Sequence, residues 1–226
     1  MKNDGLGDRM KKYESVTKYR LVDKTPVILR VDGKAFHTFT RGMNKPYDEV
    51  LIEAMVLAGE YTAKEMMGFI LGYHQSDEFN FYINNTKKLK SESWFDNEIQ
   101  KLCSITASLF TSNFNDILGT KAVFDCRAFN VPYDDVPNYF IWRQRDWIRN
   151  SVQMLAGHYF SHNELQGKSQ SDMHQMLYEK GVNWADLDDR LKNGTFVSRE
   201  DDRLNRKLDY ENLKMIIDYL NRPEDE

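Results

Sequence analysis

Asp32 and Asp77 are the residues of this chain best suited to chemistry, because each follows a short apolar run. Asp32 closes the run 27–31 and precedes Gly33, and Asp77 lies a few residues after the apolar segment 69–73. A hard cation such as Mg²⁺ prefers oxygen ligands and needs only one or two protein carboxylates, since water and nucleotide phosphates supply the rest. Gly33 lets the backbone approach an ion closely, so its carbonyl is a candidate third ligand. The pattern therefore predicts a Mg²⁺ site at Asp32, Gly33 and Asp77.

The alternative interpretation is that both segments are ordinary turns. Asp32-Gly33 is a frequent hairpin dipeptide, and Ser76-Asp77 also has the composition of a turn. Taken alone, the Asp-Gly pair favours the turn. The surrounding elements and the other motifs of the chain favour the metal site.

The elements around the two aspartates follow the order strand, helix, two strands, helix, strand. The predicted strands are 27–31, 69–73, 79–83, and the short pair 121–124 and 128–131. The first predicted helix covers about 47–67 and has apolar residues three and four positions apart. This order is that of a ferredoxin-like or polymerase-palm βαββαβ core. The sequence therefore predicts an α+β fold with an antiparallel sheet, in which Asp32 and the hairpin turn at Asp77 are neighbours. The strand 79–83 alternates apolar and polar residues, which predicts one wetter face.

The remainder of the chain is predicted to be helical. The expected helices are 134–159, 172–179, 184–192 and 209–220, after a short N-terminal helix at 6–12. We expect a palm-like catalytic core over residues 1–132 and a helical extension over 133–226 that packs on it, within one compact domain overall.

Composition limits the classes of protein that fit. The 226 residues are 41% hydrophobic and carry a formal net charge of −4, which predicts a folded protein that meets any nucleic acid through a local basic patch. Cys103 and Cys126 lack metal-type spacing, so we expect reduced thiols. The sequence shows neither an apolar run long enough to cross a membrane nor an apolar signal region. We therefore expect a cytoplasmic protein without a membrane partner.

Five separated motifs together resemble the tRNA-His guanylyltransferase family. In chain order they are Val31-Asp32-Gly33-Lys34-Ala35-Phe36-His37, Lys45-Pro46-Tyr47-Asp48, Gln75-Ser76-Asp77-Glu78-Phe79, Phe124-Asp125-Cys126-Arg127 and Trp142-Arg143-Gln144-Arg145-Asp146. The resemblance covers about residues 6–196. It implies a nucleotidyltransferase that adds nucleotides to the 5′ end of a tRNA in the 3′-to-5′ direction, with a palm-like domain and two Mg²⁺ ions. It also implies ATP and GTP as nucleotides, tRNA as a partner and a homotetramer.

The resemblance assigns roles to individual residues. The implied catalytic residues are Asp32, Asp77 and Glu78, with Asp32, the Gly33 carbonyl and Asp77 as metal ligands. The implied nucleotide-binding residues are Gly33, Lys34, Ala35, Phe36, His37, Lys45, Asp48, Ser76 and Lys101. The implied RNA-binding residues are Arg127, Arg143, Arg145, Arg149 and Asn150. From the residues alone, exposed lysines are more often merely solvated, and the arginines of the helix 134–159 are equally compatible with surface ion pairs.

One motif departs from the eukaryotic pattern. Where eukaryotic guanylyltransferases carry His-Ile-Asn-Asn, this chain has Ile148-Arg149-Asn150-Ser151. This is similar to the bacterial, archaeal and phage-type guanylyltransferase-like branch, which is associated with template-dependent repair of truncated tRNA 5′ ends. G addition to tRNA-His, a palm-type nucleotide cyclase and a non-catalytic RNA-binding homologue are the alternatives.

Overall fold

The computed structural model describes residues 5–86, 90–200 and 203–205. Its helices are α1 (Gly5–Ser15), α2 (Phe36–Phe39), α3 (Glu49–Glu65), α4 (Ile99–Leu118), α5 (Val136–Tyr159), α6 (His162–Leu165), α7 (Gln170–Glu179) and α8 (Asp189–Asn193). Its strands are β1 (Val27–Gly33), β2 (Phe69–Gln75), β3 (Glu78–Ile83), β4 (Phe124–Asn130), β5 (Thr195–Glu200) and β6 (Arg203–Asn205). None of the described helices is long and apolar enough to cross a membrane.

The strands form one antiparallel sheet in the order β4-β1-β3-β2-β5-β6. The predicted α+β fold is confirmed, as is the order strand, helix, two strands, helix, strand in the first part of the chain. The division of the chain at residue 132 stays a prediction. β5 comes from the second part and pairs with β2, so the two parts contribute to the same sheet.

Helices cover both faces of the sheet. Val31 and Phe79 point to the side of α3 and α4, where Phe110 belongs to the same apolar core. Because side chains alternate along a strand, Ile28 and Tyr82 point to the other side, where they join residues of α5. The prediction of a wetter face on β3 is therefore wrong. All of its residues are buried, since α5 covers the face that the alternation suggested was open.

Other predicted boundaries also change. The short strands expected at 121–124 and 128–131 are one strand, β4, which pairs with β1 from Val27↔Asn130 to Gly33↔Phe124. The helix expected at 184–192 is a 3-10 turn at Trp184–Asp186 followed by α8. β5 was not predicted. The helix expected at 209–220 lies outside the described residues.

Candidate active site

The structure brings Asp32 and Asp77 together at one end of the sheet. Asp32 lies near the end of β1, opposite Glu78 of β3 and Asp125 of β4. Asp77 lies in the turn between β2 and β3. The backbone N–H of Gly33 donates a hydrogen bond to the carbonyl oxygen of Asp77 at 3.0 Å. The end of β1 and the hairpin turn are therefore adjacent, as the strand order predicts.

The electrostatics of this pair favour a cation. Burial raises the pKa of Asp32, and the negative charge of Asp77 raises it further. Burial is also the main cause of the raised pKa of Asp77, to which the charge of Glu78 adds. The described residues contain no cluster of three or more His, Cys, Asp or Glu side chains able to hold a metal. Two desolvated carboxylates and a nearby backbone carbonyl nevertheless fit an ion such as Mg²⁺, which takes its other ligands from water and phosphate.

Tight packing fixes the loop that follows β1. A Cβ atom on Gly33 would lie 2.2 Å from the ring of Phe36, so no larger residue fits without a shift of that ring. Phe36 packs against Phe124, with ring centroids 5.0 Å apart. Lys34 donates its backbone N–H to Val123 at 2.8 Å, while its side chain is exposed. Ala35 begins α2 with a left-handed φ of 55°, which is uncommon for a residue with a Cβ atom.

A cavity of about 420 Å³ opens beside Asp77. It lies between the segment 43–48, the β2–β3 turn and α5. Its lining includes many of the predicted nucleotide-binding residues, namely Phe36, His37, Lys45, Asp48 and Ser76. The volume is within the range of small-molecule sites, roughly 300–1,000 Å³. The structure therefore gathers these residues around one space next to Asp77.

Asp48 organises one wall of this cavity. Its carboxylate caps α3 by accepting a hydrogen bond from the backbone N–H of Leu51 at 3.0 Å. It also accepts from the N–H of Asn44 at 3.0 Å. These hydrogen bonds lower the pKa of Asp48, because they stabilise the charged carboxylate. Asp48 thereby holds the loop that carries the exposed Lys45.

Aromatic side chains form another wall, which the sequence did not predict. Tyr47 and Trp147 meet edge to face with ring centroids 6.4 Å apart, and both line the cavity. The hydroxyl of Tyr47 donates to the carbonyl of Ser151 at 2.7 Å, and burial raises the pKa of Tyr47 to about 12. Trp147 lies in the apolar stripe of the helix predicted at 134–159, so the pattern indicated a core position.

Three buried polar atoms near the cavity have no hydrogen-bond partner among the described residues. They are Nδ1 of His74, Oε1 of Gln75 and Nε1 of Trp147. Burial lowers the pKa of His74 to about 4, so the ring is neutral at physiological pH. Each unsatisfied group of this kind costs about 1–3 kcal/mol, and such costs are typical of functional sites. His74 was not among the predicted site residues, and the sequence signal for it is its place beside the Gln75-Ser76-Asp77 motif.

Glu78 and Arg143 lie together in a buried ion pair, and the roles predicted for them stay predictions. Arg143 donates to both carboxylate oxygens of Glu78, from Nε at 2.7 Å and from Nη2 at 2.8 Å. Arg30 and Asn80 also contact this carboxylate, at 2.5 Å and 2.7 Å. Glu78 is 2% exposed and Arg143 is 4% exposed. Both oxygens of the Glu78 carboxylate thus have partners, and Arg143 is buried beside it.

The other predicted residues lie in different places. Lys101 is exposed near the start of α4, whose first N–H, from Ile99, donates to Tyr19 at 3.0 Å. The 3-10 turn that precedes α4, Trp94–Asn97, lines a small cavity together with Val27. The start of α4 therefore lies near the Val27 end of β1, which is the end opposite to Asp32. The structure therefore does not bring Lys101 together with the cavity at Asp77.

The remaining predicted RNA-binding residues lie on β4 and α5. Arg127 is exposed on the edge strand β4, opposite Arg30. Arg145 and Arg149 are exposed on α5, and Arg149 forms an ion pair with Asp146. Asn150 is partly buried and donates to Asp146 at 3.5 Å.

A family model described as Thg1, tRNAHis guanylyltransferase, matches residues 7–132. The chain belongs to this family. Members of the guanylyltransferase family are nucleotidyltransferases. The tRNA(His) guanylyltransferase of Schizosaccharomyces pombe is 29% identical over 84% of this chain and 79% of its own length. An uncharacterized mimivirus protein, R259, is 28% identical over 88% of this chain and 78% of its own length.

Solved structures of guanylyltransferase-like proteins superimpose closely on the chain. A bacterial tRNA(His) guanylyltransferase-like protein in complex with ATP is 40% identical, with a TM-score of 0.89, and the match covers 94% of this chain and 99% of that chain. A bacterial protein of the same description in complex with GTP is 38% identical, with a TM-score of 0.82, over 95% and 99% of the two chains. The recognition of the family from its five motifs is therefore confirmed.

Proposed function

We propose that this chain is a Mg²⁺-dependent nucleotidyltransferase that adds nucleotides to the 5′ end of a tRNA in the 3′-to-5′ direction. The observation that carries the proposal is the pair of desolvated carboxylates Asp32 and Asp77, of which Asp77 lines a cavity of nucleotide size. The ATP and GTP complexes of the similar bacterial proteins support nucleoside triphosphates as the occupants.

The side chains around the cavity divide the work of binding and positioning. Asp32, the Gly33 carbonyl and Asp77 hold Mg²⁺, with further ligands from phosphate oxygens. Bound Mg²⁺ neutralises the phosphates and lowers the pKa of the attacking hydroxyl. Lys45 offers a positive charge to the phosphates, while Asp48 fixes the loop that carries it. Phosphoryl transfer demands little covalent chemistry of a protein, so positioning and charge account for most of the catalysis.

The reaction is a displacement at phosphorus. The 3′-hydroxyl of the incoming nucleoside triphosphate attacks the 5′-phosphate of the RNA, which is activated by adenylylation from ATP or is a residual triphosphate. The new bond joins the 3′-oxygen to phosphorus, and the broken bond releases AMP or pyrophosphate. Arg127, Arg145 and Arg149 are exposed and bind the RNA backbone, which makes the affinity dependent on salt.

The deciding experiment is Asp77→Ala, assayed on a 5′-truncated tRNA with ATP, GTP and Mg²⁺. We expect nucleotide addition to fall by at least about 10²-fold, since metal stabilisation of the transition state is worth several kcal/mol, while RNA binding is retained. Asp116→Ala is the matched control, because Asp116 is an exposed acid on α4. Unchanged addition by Asp77→Ala contradicts the proposal. A cyclic product formed from nucleotide alone, without RNA, indicates a palm-type cyclase instead.

The Ile148-Arg149-Asn150-Ser151 sequence supports template-dependent repair as the physiological form of this reaction. Substrates that differ only in the nucleotide opposite the missing 5′ position test this point. Templated addition changes the added base to the complement, whereas dedicated addition to tRNA-His gives G with every substrate. A homotetramer and a second Mg²⁺ ion stay predictions of the resemblance, and a cytoplasmic location stays a prediction from the sequence.

A further inference from the structure

Trp142 is an exposed aromatic ring that its neighbours hold in a fixed position. The side chain is 53% exposed, although tryptophan is usually well buried. The guanidinium carbon of Arg143 lies 4.6 Å from its ring centroid, and the ring of Tyr139 meets it at 5.8 Å. Arg143 is fixed in turn by Glu78, and Tyr139 by a hydrogen bond to Asn80. The ring of Trp142 is thus braced from the protein side and open to solvent on the rest of its surface.

The strand register places this ring beside the face of the sheet that ends at Asp32. Tyr139, which contacts Trp142, also contacts Phe129 of β4 at 5.7 Å. Phe129, Arg127 and Asp125 point to the same face, because side chains alternate along a strand. Asp125 lies opposite Asp32. Four residues of a strand span about 13 Å, so an extended RNA strand along β4 reaches from Trp142 to the carboxylates within a few nucleotides.

The charge around Trp142 is positive. Arg145 and Arg149 follow it by three and seven positions and so share its exposed side of α5. Arg127 and Arg145 are exposed and take part in none of the ion pairs formed among the described residues. The acidic neighbour Asp146 is compensated by Arg143 and Arg149. An exposed aromatic ring among unpaired arginines is the combination that binds single-stranded nucleic acid.

We propose that Trp142 is a positioning residue on which an unpaired base stacks, in the RNA strand whose 5′ end is extended. The stacked base holds the 5′ nucleotide in line with Asp32 and Asp77, while Arg127 and Arg145 contact the adjacent phosphates. This inference rests on the proposed function, since it requires an RNA substrate. It assigns a role to the first residue of the Trp142-Arg143-Gln144 motif, which the nucleotide site leaves without one.

Replacement of the ring tests the proposal. Trp142→Leu keeps an apolar side chain against Tyr139 but removes the stacking surface, and Trp142→Phe keeps a smaller aromatic ring. We expect Trp142→Leu to raise the Kd for a 5′-truncated tRNA about tenfold or more, and Trp142→Phe to recover most of the affinity. The KM for GTP stays at the wild-type value, because Trp142 does not line the nucleotide cavity.

The salt dependence separates stacking from charge. Trp142→Leu removes no charge, so the slope of log Kd against log salt is unchanged. Arg127→Ala lowers that slope by about 1, since one phosphate contact is lost. Tyr178→Ala is the control, because Tyr178 is a 72% exposed aromatic residue on α7. Its Kd equals that of the wild type.

Two results overturn the inference. One is a wild-type Kd for Trp142→Leu, and the other is an equal loss for Trp142→Leu and Trp142→Phe at the same melting temperature as the wild type. Either result leaves the proposed function intact, because that function fails only if Asp77→Ala retains nucleotide addition. Melting curves of both variants identify any loss of binding that is due to unfolding.

Discussion

Asp77 and Glu78 are consecutive acidic residues, yet their surroundings are opposite. The Glu78 carboxylate has Arg143, Arg30 and Asn80 as partners. Among the described residues, the Asp77 carboxylate has a side-chain hydrogen bond only from its neighbour Ser76, at 3.1 Å, and burial raises its pKa. A buried carboxylate with compensating partners supports the fold, whereas a desolvated one without them is suited to bind a cation. The sequence motif does not show which of these two acids supports the fold, whereas their hydrogen-bond and ion-pair partners do.

Arg30 connects these two environments. It forms an ion pair with Glu78, and its positive charge lowers the pKa of both Asp32 and Asp77, opposing the effect of burial. Nε of Arg30 is buried without a hydrogen-bond partner among the described residues. Glu78 therefore keeps this guanidinium on its own side of the site, where it does not neutralise the aspartates directly. Because Arg30 is paired with Glu78, Asp32 and Asp77 keep negative charges that no ion pair with Arg30 cancels.

The largest expected effect concerns Glu78 and the residues that compensate its charge. Arg143→Ala removes the bidentate partner of Glu78 and leaves a buried carboxylate with less compensation. We expect the free energy of unfolding to fall by about 3–5 kcal/mol, which is typical when one partner of a buried ion pair is removed. Denaturant unfolding measures this change. Arg145→Ala, an exposed change on the same helix, should remain within about 0.5 kcal/mol of the wild type. Equal stability of both variants would show that Glu78 does not need compensation.

The next largest effect concerns Asp77, whose carboxylate forms no ion pair among the described residues. Mg²⁺ at one hundred times its Kd stabilises a protein that binds it only when folded by about 2.7 kcal/mol. We expect a shift of this size for the wild type and none for Asp77→Asn. In the absence of Mg²⁺, Asp77→Asn should be more stable than the wild type, because it removes a charge that burial disfavours. Thermal melts with Mg²⁺ or with EDTA measure both effects.

Glu78→Gln is the matched change for this comparison. It should destabilise the protein without Mg²⁺, which is the opposite sign to Asp77→Asn, because Arg143 and Arg30 lose their counter-charge. A destabilising Asp77→Asn in EDTA would contradict the distinction between the two acids.

The smallest expected effect concerns the hydrogen bond between Tyr139 and Asn80, the residue that donates to Glu78. Tyr139→Phe removes the hydroxyl that donates to Oδ1 of Asn80, the residue that in turn donates to Glu78. We expect a loss of about 1–2 kcal/mol in the free energy of unfolding, since a buried acceptor is left unpaired. The response to Mg²⁺ should be unchanged. A reduced Mg²⁺ response would show that the compensated network also shapes the cation site.

The sequence predicted the part of the site that follows from strand order. Asp32 ends one apolar run, and Asp77 follows another. The βαββαβ order places the end of the first strand beside the turn after the second strand. The role of Arg143 was not predictable in this way, because a helix pattern does not show which arginine faces a carboxylate on the sheet. That depends on the register of β1 and β3, which puts Glu78 on the face covered by α5.

The missed elements have a similar cause. β5 is short and follows Gly194, whose φ of 75° and close approach to the carbonyl of His74 favour glycine. Its pairing with β2 is a contact between residues distant in sequence, so local patterns do not indicate it. Trp147 was assigned to the core because periodicity shows which side of a helix is covered. Periodicity does not show whether that side of the helix faces packed side chains or a cavity.

The hydrogen bond from Gly33 N–H to the Asp77 carbonyl bears on which substitutions around the two aspartates the site tolerates. The bond uses main-chain atoms alone, so its donor and acceptor do not depend on nearby side chains, except that Phe36 leaves no room for a Cβ atom at Gly33. Other neighbouring residues can then be exchanged while the segments that carry Asp32 and Asp77 stay adjacent. The bond joins the end of β1 to the β2–β3 turn, so the adjacency of the two aspartates is a property of the sheet itself.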